Sequence, residues 1–224
     1  MIDDKKIIVS LTSWKKRIQY VSKTIYMMET QTIKPDLIVL NLAEDEFPNK
    51  EKDLPAELVL FSTTLDNFEI YWVKENTKAF KKVIPTIKRF FNEDCWIFSI
   101  DEDVLYYKDY LKCFLEELSG LSDTYLSPGI WGNHPVGYIM AYNPKWFKDE
   151  KIWKFTKIDA DKIVASDHWI WINLKNNGIK LKISKKIHNQ VKLLNRGNAL
   201  GGTYRTIPFN TREKYIINRL EEIK

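Results

Sequence analysis

Only two cysteines occur in the 224 residues, Cys95 and Cys113, and their spacing follows no metal-binding pattern. Cys95 opens a strongly apolar segment, where a buried, reduced thiol is expected. There are three histidines, and no serine or cysteine stands with them in an arrangement that supports a hydrolase. No apolar run approaches the length needed to cross a bilayer, and the opening Met-Ile-Asp-Asp-Lys-Lys lacks the apolar core of a signal peptide. A cytoplasmic location follows as an expectation. Neither a fixed repeat nor a low-complexity tract recurs.

Apolar residues make up 44% of the chain, enough for the core of one large domain. Eight tryptophans are many for this length. Aromatic faces stack on sugars, but core packing is their commoner use. Charge is unevenly spread. Residues 1–150 hold 19 Lys and Arg against 24 Asp and Glu, whereas residues 151–224 hold 16 against 6. A basic C-terminal third suits a diphosphate ligand, an anionic membrane surface or nucleic acid; a solvated lysine-rich face would look the same.

Short β-branched runs alternate with helical spacing through the first hundred residues. Strands are expected at 6–11, 36–42, 69–73 and 95–100, and helices at 17–29 and 79–91, the second kinked or starting late at Pro85. Residues 44–55 read as a charged loop. This alternation predicts an α/β fold, a mostly parallel, Rossmann-like sheet flanked by helices in a single domain. Ligands of such sheets sit at the carboxyl ends of the strands, where the segments around residues 10–14, 41–45 and 101–103 would converge. Further on, helices are expected at 108–118, 164–177 and 211–223, strands at 137–142 and 180–183, and a glycine-rich loop at 195–203.

Asp101-Glu102-Asp103 closes the apolar strand Cys-Trp-Ile-Phe-Ser-Ile. Three adjacent carboxylates repel unless a positive group neutralises them, and hard divalent cations take one or two carboxylates together with phosphate oxygens. Asp-x-Asp alone is a weak signal, since Asp159-Ala160-Asp161 is a second match. That one lies in a lysine-rich polar stretch and reads as a solvated turn.

The segments VSLTSWKKRI, QTIKPDLIVLNLAEDEFP, FEIYWVKENTKAFKKVIPTIKRF and IDEDV follow one another in that order, and SDHWIWINLKNNGIK comes later. Together they resemble bacterial glycosyltransferases of the GT-A fold, family 2-like, found in polysaccharide and lipooligosaccharide gene sets. The resemblance is dense over residues 7–107 and thin at 108–135 and beyond 190. It implies a nucleotide-sugar-binding half (1–107) and an acceptor-binding half with a basic end (108–224), in one continuous domain.

Residue by residue, it implies that Thr12, Ser13 and Arg17 line the nucleotide pocket and that Glu44 meets the base or ribose. Lys81 or Lys82 approaches the phosphates. Asp101 faces the ribose and sugar and, with Asp103, holds Mn²⁺ or Mg²⁺, with His188 as a third ligand. Asp167 matches the acidic base of inverting members. Its alternative role is an acidic residue in a first helical turn, behind a Ser166 cap. Lys192, Arg196 and Arg205 flank a loop that would close over the diphosphate.

The implied reaction is metal-dependent, inverting transfer from a nucleotide-diphosphate sugar, a UDP-sugar above all, to a hydroxyl of a glycan or lipid-linked glycan. Peripheral contact with the inner face of an anionic membrane is expected, and no nucleic-acid partner. A sugar-phosphate nucleotidyltransferase would share the sheet and metal site. It requires a glycine-rich loop after the first strand, however, and SLTSWKKR has no glycine. A non-enzymatic membrane-surface or nucleic-acid binder would account for the basic end and leave the acidic cluster without a purpose.

Overall fold

A computed structural model describes residues 5–131, 134–194 and 207–223. Four strands form its parallel centre: β1 (Lys6–Thr12), β2 (Leu37–Ala43), β3 (Phe68–Val73) and β4 (Cys95–Ile100). β1, β2 and β4 are apolar almost throughout because helices cover both faces of the sheet. Between the strands run α1 (Val21–Glu29), α2 (Ala56–Thr64) and α3 (Ile84–Phe90).

After β4 come β5 (Val104–Tyr106), α4 (Tyr110–Leu118), β6 (Thr124–Ser127), the short pair β7 (Ile130–Trp131) and β8 (His134–Pro135), and β9 (Ile139–Tyr142). The order in the main sheet is β3-β2-β1-β4-β9, with β9 alone antiparallel. The chain leaves β1 toward β2 on one side and reaches β4 on the other, so a crevice opens between β1 and β4 at their carboxyl ends. Because β9 runs against β4, pairing Ile139 with Ile100, the residues that precede it are delivered to that same end.

The remaining elements are α5 (Lys157–Ile163), α6 (Ser166–Asn176), β10 (Lys180–Ile183), α7 (Lys185–His188), β11 (Val191–Leu193) and α8 (Phe209–Glu222). β10 pairs with β6, and β11 pairs antiparallel with β5. Inside the main sheet a buried polar cluster ties three elements together. Asn41 donates to Ser10 Oγ (3.0 Å), Ser10 and Thr86 hydroxyls meet at 2.7 Å, and Thr12 Oγ1 donates to the Asn41 carbonyl at 2.6 Å. The cluster fixes the ends of β1 and β2 against α3.

Several expectations need correction. Over 79–91 the late start expected at Pro85 is what forms: a 3-10 turn, Lys78–Lys82, precedes α3, and Pro85 sits in its first turn. Part of the loop expected at 44–55 is a 3-10 turn, and α2 was not foreseen, its apolar residues showing no clear stripe. The pair Asp159 and Asp161 is not a solvated turn. Thr156 and Asp159 form a capping box at the start of α5. Asp159 is buried and also accepts from Tyr215 (2.7 Å) and Arg219 Nε (3.0 Å), which clasps α8 onto α5. Asp161 points elsewhere, to Lys78 at 2.5 Å. The inner face of α8 and its end bury Ile216, Leu220 and Ile223. The glycine-rich loop with Arg196 and Arg205 lies outside the described residues. Among the described residues no helix is long and apolar enough to cross a membrane.

Between α5 and α6 the chain turns within three residues. Val164 has φ 62° and the Ala165 N–H donates to the Ile163 carbonyl at 2.7 Å. This is a γ-turn in the left-handed region, a costly conformation for a β-branched residue. It sets the direction in which α6 starts, with Val164 three residues ahead of Asp167.

Candidate active site

The acidic turn sits at the crevice between β1 and β4. Asp101 leaves β4 with its backbone N–H donating to the Tyr106 hydroxyl (2.8 Å), which also lies 3.2 Å from the Asp101 carbonyl. Tyr106 comes from β5, so the turn is latched by the strand that follows it. Each carboxylate then meets its own cation. Asp101 pairs with Lys82. Glu102 lies 3.0 Å from Arg17 Nε, and Asp103 lies 2.9 Å from Arg17 Nη2. Ser13 Oγ donates to Glu102 at 3.4 Å. Burial pushes the Glu102 carboxyl up to about 7 against the pull of Arg17. Burial disfavours the Arg17 charge, but Glu102, Asp103 and Asp101 outweigh it and raise the guanidinium's pKa. The repulsion expected of three adjacent carboxylates is thus met by two buried cations of the chain itself.

The other expected residues divide. Thr12 and Ser13 stand at the mouth of the crevice, one bonded to β2 and the other to the acidic turn. Lys82 joins the acidic turn, whereas Lys81 is turned away toward Glu46 (2.5 Å) and Asn76 (3.0 Å). Glu44, just past β2, is paired with Lys50 at 3.4 Å. Pairing β11 with β5 brings residues 191–194 alongside the turn, and the Leu194 N–H donates to the Asp103 carbonyl at 2.8 Å. Lys192 is opposite Leu105 there and is exposed. His188, at the end of α7, is exposed and meets the Tyr138 hydroxyl at 3.5 Å.

Asp167 lies in the first turn of α6, whose N-cap is Ala165 without a side-chain bond, so Ser166 is not the cap. Its side chain is 17% exposed. Burial raises its pKa above the usual carboxylate range, and His134, Lys82 and the His168 N–H pull it back in part. Lys82 therefore pairs with Asp101 and its charge also bears on the partly buried carboxylate of Asp167.

Among the described residues no three His, Cys, Asp or Glu side chains converge as a metal cluster, so His188 does not complete one with Asp101 and Asp103. Two carboxylates still fit a hard cation that takes the rest of its ligands from phosphate. Asp101 and Asp103 are 30% and 23% exposed, and each turns one oxygen to its cation. Asp101 Oδ2 and Asp103 Oδ1 make no ion pair among the described residues.

Three contributors escaped the sequence reading: Tyr106, Gly137 and His134. Tyr106 sits just after the motif and looks like any core aromatic. Gly137 and His134 belong to WGNHPVGY, at and just past the end of the stretch where the resemblance is thin. The signal available there was a pair of glycines and a histidine immediately ahead of a strand.

The fold is of the GT-A type, with a mostly parallel sheet, flanking helices and acidic residues at the switch point. Among solved structures it is similar to S. aureus TarS residues 1–349 in complex with UDP, at a TM-score of 0.58 and 12% identity, covering 80% of this chain and 58% of that one. The same protein in complex with UDP-GlcNAc gives a TM-score of 0.57 at 12% identity, covering 80% and 56%. This chain thus spans well under two thirds of the TarS chains it matches. No protein-family model matches it, and no curated protein matches it in sequence.

Proposed function

We propose that the protein is a glycosyltransferase that moves a sugar from a nucleotide-diphosphate donor to a hydroxyl of a glycan or lipid-linked glycan, with inversion. The observation that carries this reading is the acidic turn Asp101-Glu102-Asp103 at the switch point, its first carboxylate paired with Lys82, whose charge also bears on the partly buried carboxylate of Asp167. The TarS complexes with UDP and UDP-GlcNAc, on the same fold, favour a uridine-diphosphate donor.

In this reading residues 1–107 hold the donor and 108–224 the acceptor. Thr12 and Ser13 line the nucleotide side, and Arg17 keeps Glu102 and Asp103 in place. Asp101 and Asp103 would hold Mn²⁺ or Mg²⁺, which supplies positive charge against the leaving diphosphate. Lys82 adds a buried positive charge at the same place. Asp167 takes the proton of the acceptor hydroxyl as that oxygen attacks the anomeric carbon, and the bond to the diphosphate breaks on the opposite face. The raised basicity of a buried carboxylate suits this task.

Binding of a ligand to the native state raises apparent stability by mass action. A thermal-shift panel of UDP-glucose, UDP-galactose, UDP-N-acetylglucosamine and GDP-mannose, each with Mn²⁺, Mg²⁺ or EDTA, is therefore the direct test. Marked stabilisation by one uridine donor, larger with metal than with EDTA, is the expected result. Equal stabilisation in EDTA would remove the metal, and no stabilisation by any donor would remove the activity.

A lipid-linked acceptor would bring the protein to an anionic surface. Lys180, Lys182, Lys185, Lys186 and Lys192 are exposed along β10, α7 and β11, with Glu117 offsetting Lys182 and Lys186. Co-sedimentation with phosphatidylglycerol vesicles is expected at low salt and should fall as salt screens the charges. No binding at low salt would favour a soluble acceptor.

A further inference from the structure

We propose that His134 is a positioning residue for Asp167, holding the second oxygen of its carboxylate in the pose that receives the acceptor's proton. The inference rests on the reading of Asp167 as the base. A base must be aimed as well as basic, because an ångström of misplacement is costly. Three groups surround this carboxylate. The His168 N–H donates to Oδ1 at 3.0 Å and fixes the first oxygen. Gly137 closes one flank so tightly that a Cβ there would come within 2.4 Å of the Asp167 Cβ and 2.6 Å of Oδ2. The third group is His134, whose Nε2 lies 3.7 Å from Oδ2.

That separation is too long for a hydrogen bond. Such bonds are commonly long before substrate arrives and tighten in the complex. The imidazole is already held in place for it. His134 pairs with Trp131 across the β7–β8 hairpin, and its ring stacks on that of His168 with centroids 4.8 Å apart and planes 16° from parallel. Both rings are buried.

Burial also keeps the two rings neutral. It lowers the pKa of His134, against the attraction of Asp167, and lowers that of His168 to about 3. The charged groups that bear on the pair from other elements are Arg212 and Glu213 of α8, and Lys82 bears on Asp167 itself. A neutral imidazole donating through Nε2–H orients the carboxylate without neutralising it. A cation in its place would lower the basicity that the reaction needs.

The test compares His134→Phe, His134→Gln and Asp167→Asn in the full chain. Phe keeps the stacked ring and loses the donor, whereas Gln replaces the N–H on a flexible side chain. The readout is nucleoside-diphosphate release from whichever sugar nucleotide of the panel stabilises the protein most, alongside the thermal shift given by UDP with Mn²⁺. His134→Phe is expected to slow release by up to about 10²-fold, with the UDP shift unchanged, and His134→Gln to restore most of the rate. Full rate in His134→Phe, or an equal loss in the Phe and Gln variants, overturns the positioning role while Asp167→Asn stays inactive. Normal rate in Asp167→Asn overturns the base reading and this inference with it. Should His134→Phe not fold, His134→Ala takes its place in the same comparison.

Discussion

Asp167→Asn is expected to abolish transfer while leaving the protein folded and able to bind its donor. Turnover should drop by about 10²–10⁴-fold, the usual worth of a general base. Stability should change little. Losing a negative charge in a first helical turn costs about 0.3–1 kcal/mol, but the buried Asp167 carboxylate is itself disfavoured by desolvation, and Asn removes that burden. The melting temperature should therefore stay level or rise slightly. The wild-type pH profile carries the same information. Burial raises this carboxyl's pKa, so the acid limb of turnover should lie above the ordinary aspartate range, with activity falling as pH drops through it and the base takes up a proton. Near-normal transfer by Asp167→Asn under the same conditions would reject the assignment.

The largest loss of stability is expected from Arg17→Met. Arg17 is buried and meets two carboxylates, at 3.0 and 2.9 Å. Removing one partner of a buried ion pair typically costs about 3–5 kcal/mol, because the charge left behind is no longer neutralised. Glu102 can escape part of that cost by taking a proton, since burial already pushes its carboxyl up to about 7. Urea unfolding of wild type and variant measures the difference. Lys50→Met serves as a control, since Lys50 is half exposed beside Glu44 and such pairs contribute about 0–1 kcal/mol. A loss for Arg17→Met no larger than that of the control would mean that the acidic turn is neutralised by something other than Arg17. Arg17→Lys should fall between, because one ammonium cannot reproduce the fork that spans Glu102 and Asp103.

The parallel core was legible because its strands are short, β-branched and separated by helical spacing. Unbroken apolar runs report burial on both faces directly: β1 and β2 lie where isoleucine, valine and leucine cluster, and β4 on Cys-Trp-Ile-Phe-Ser-Ile. The acidic turn was legible for a related reason, as charge that follows a buried strand without a break. The small pairings β5–β11, β6–β10 and β7–β8 were mostly hidden. Strands of two to four residues have no period to read, and the partners of β5 and β6 lie far along the chain. Asp159 was misjudged because lysines surround it in sequence, while its real partners, Tyr215 and Arg219, arrive from the last helix. The two lysines at 81 and 82 looked equivalent and are not. Adjacent positions in a 3-10 turn point in different directions, so one meets Glu46 and the other Asp101.

The close approach at Gly137 also says how chains of this kind can vary. With 2.4 Å between a Cβ at 137 and the Cβ of Asp167, any side chain at the first position collides with the second residue whatever its chemistry. The two positions therefore form a single two-letter word: glycine with aspartate spells this pose, and alanine with aspartate cannot spell it on the same backbone. A search for functional relatives can use that word as a filter. A chain that keeps the sheet, the acidic turn and the aspartate, yet carries a larger residue where Gly137 stands, must have moved its strand, its helix or that aspartate's side chain. It should not be assigned the same chemistry on the strength of the acidic turn alone.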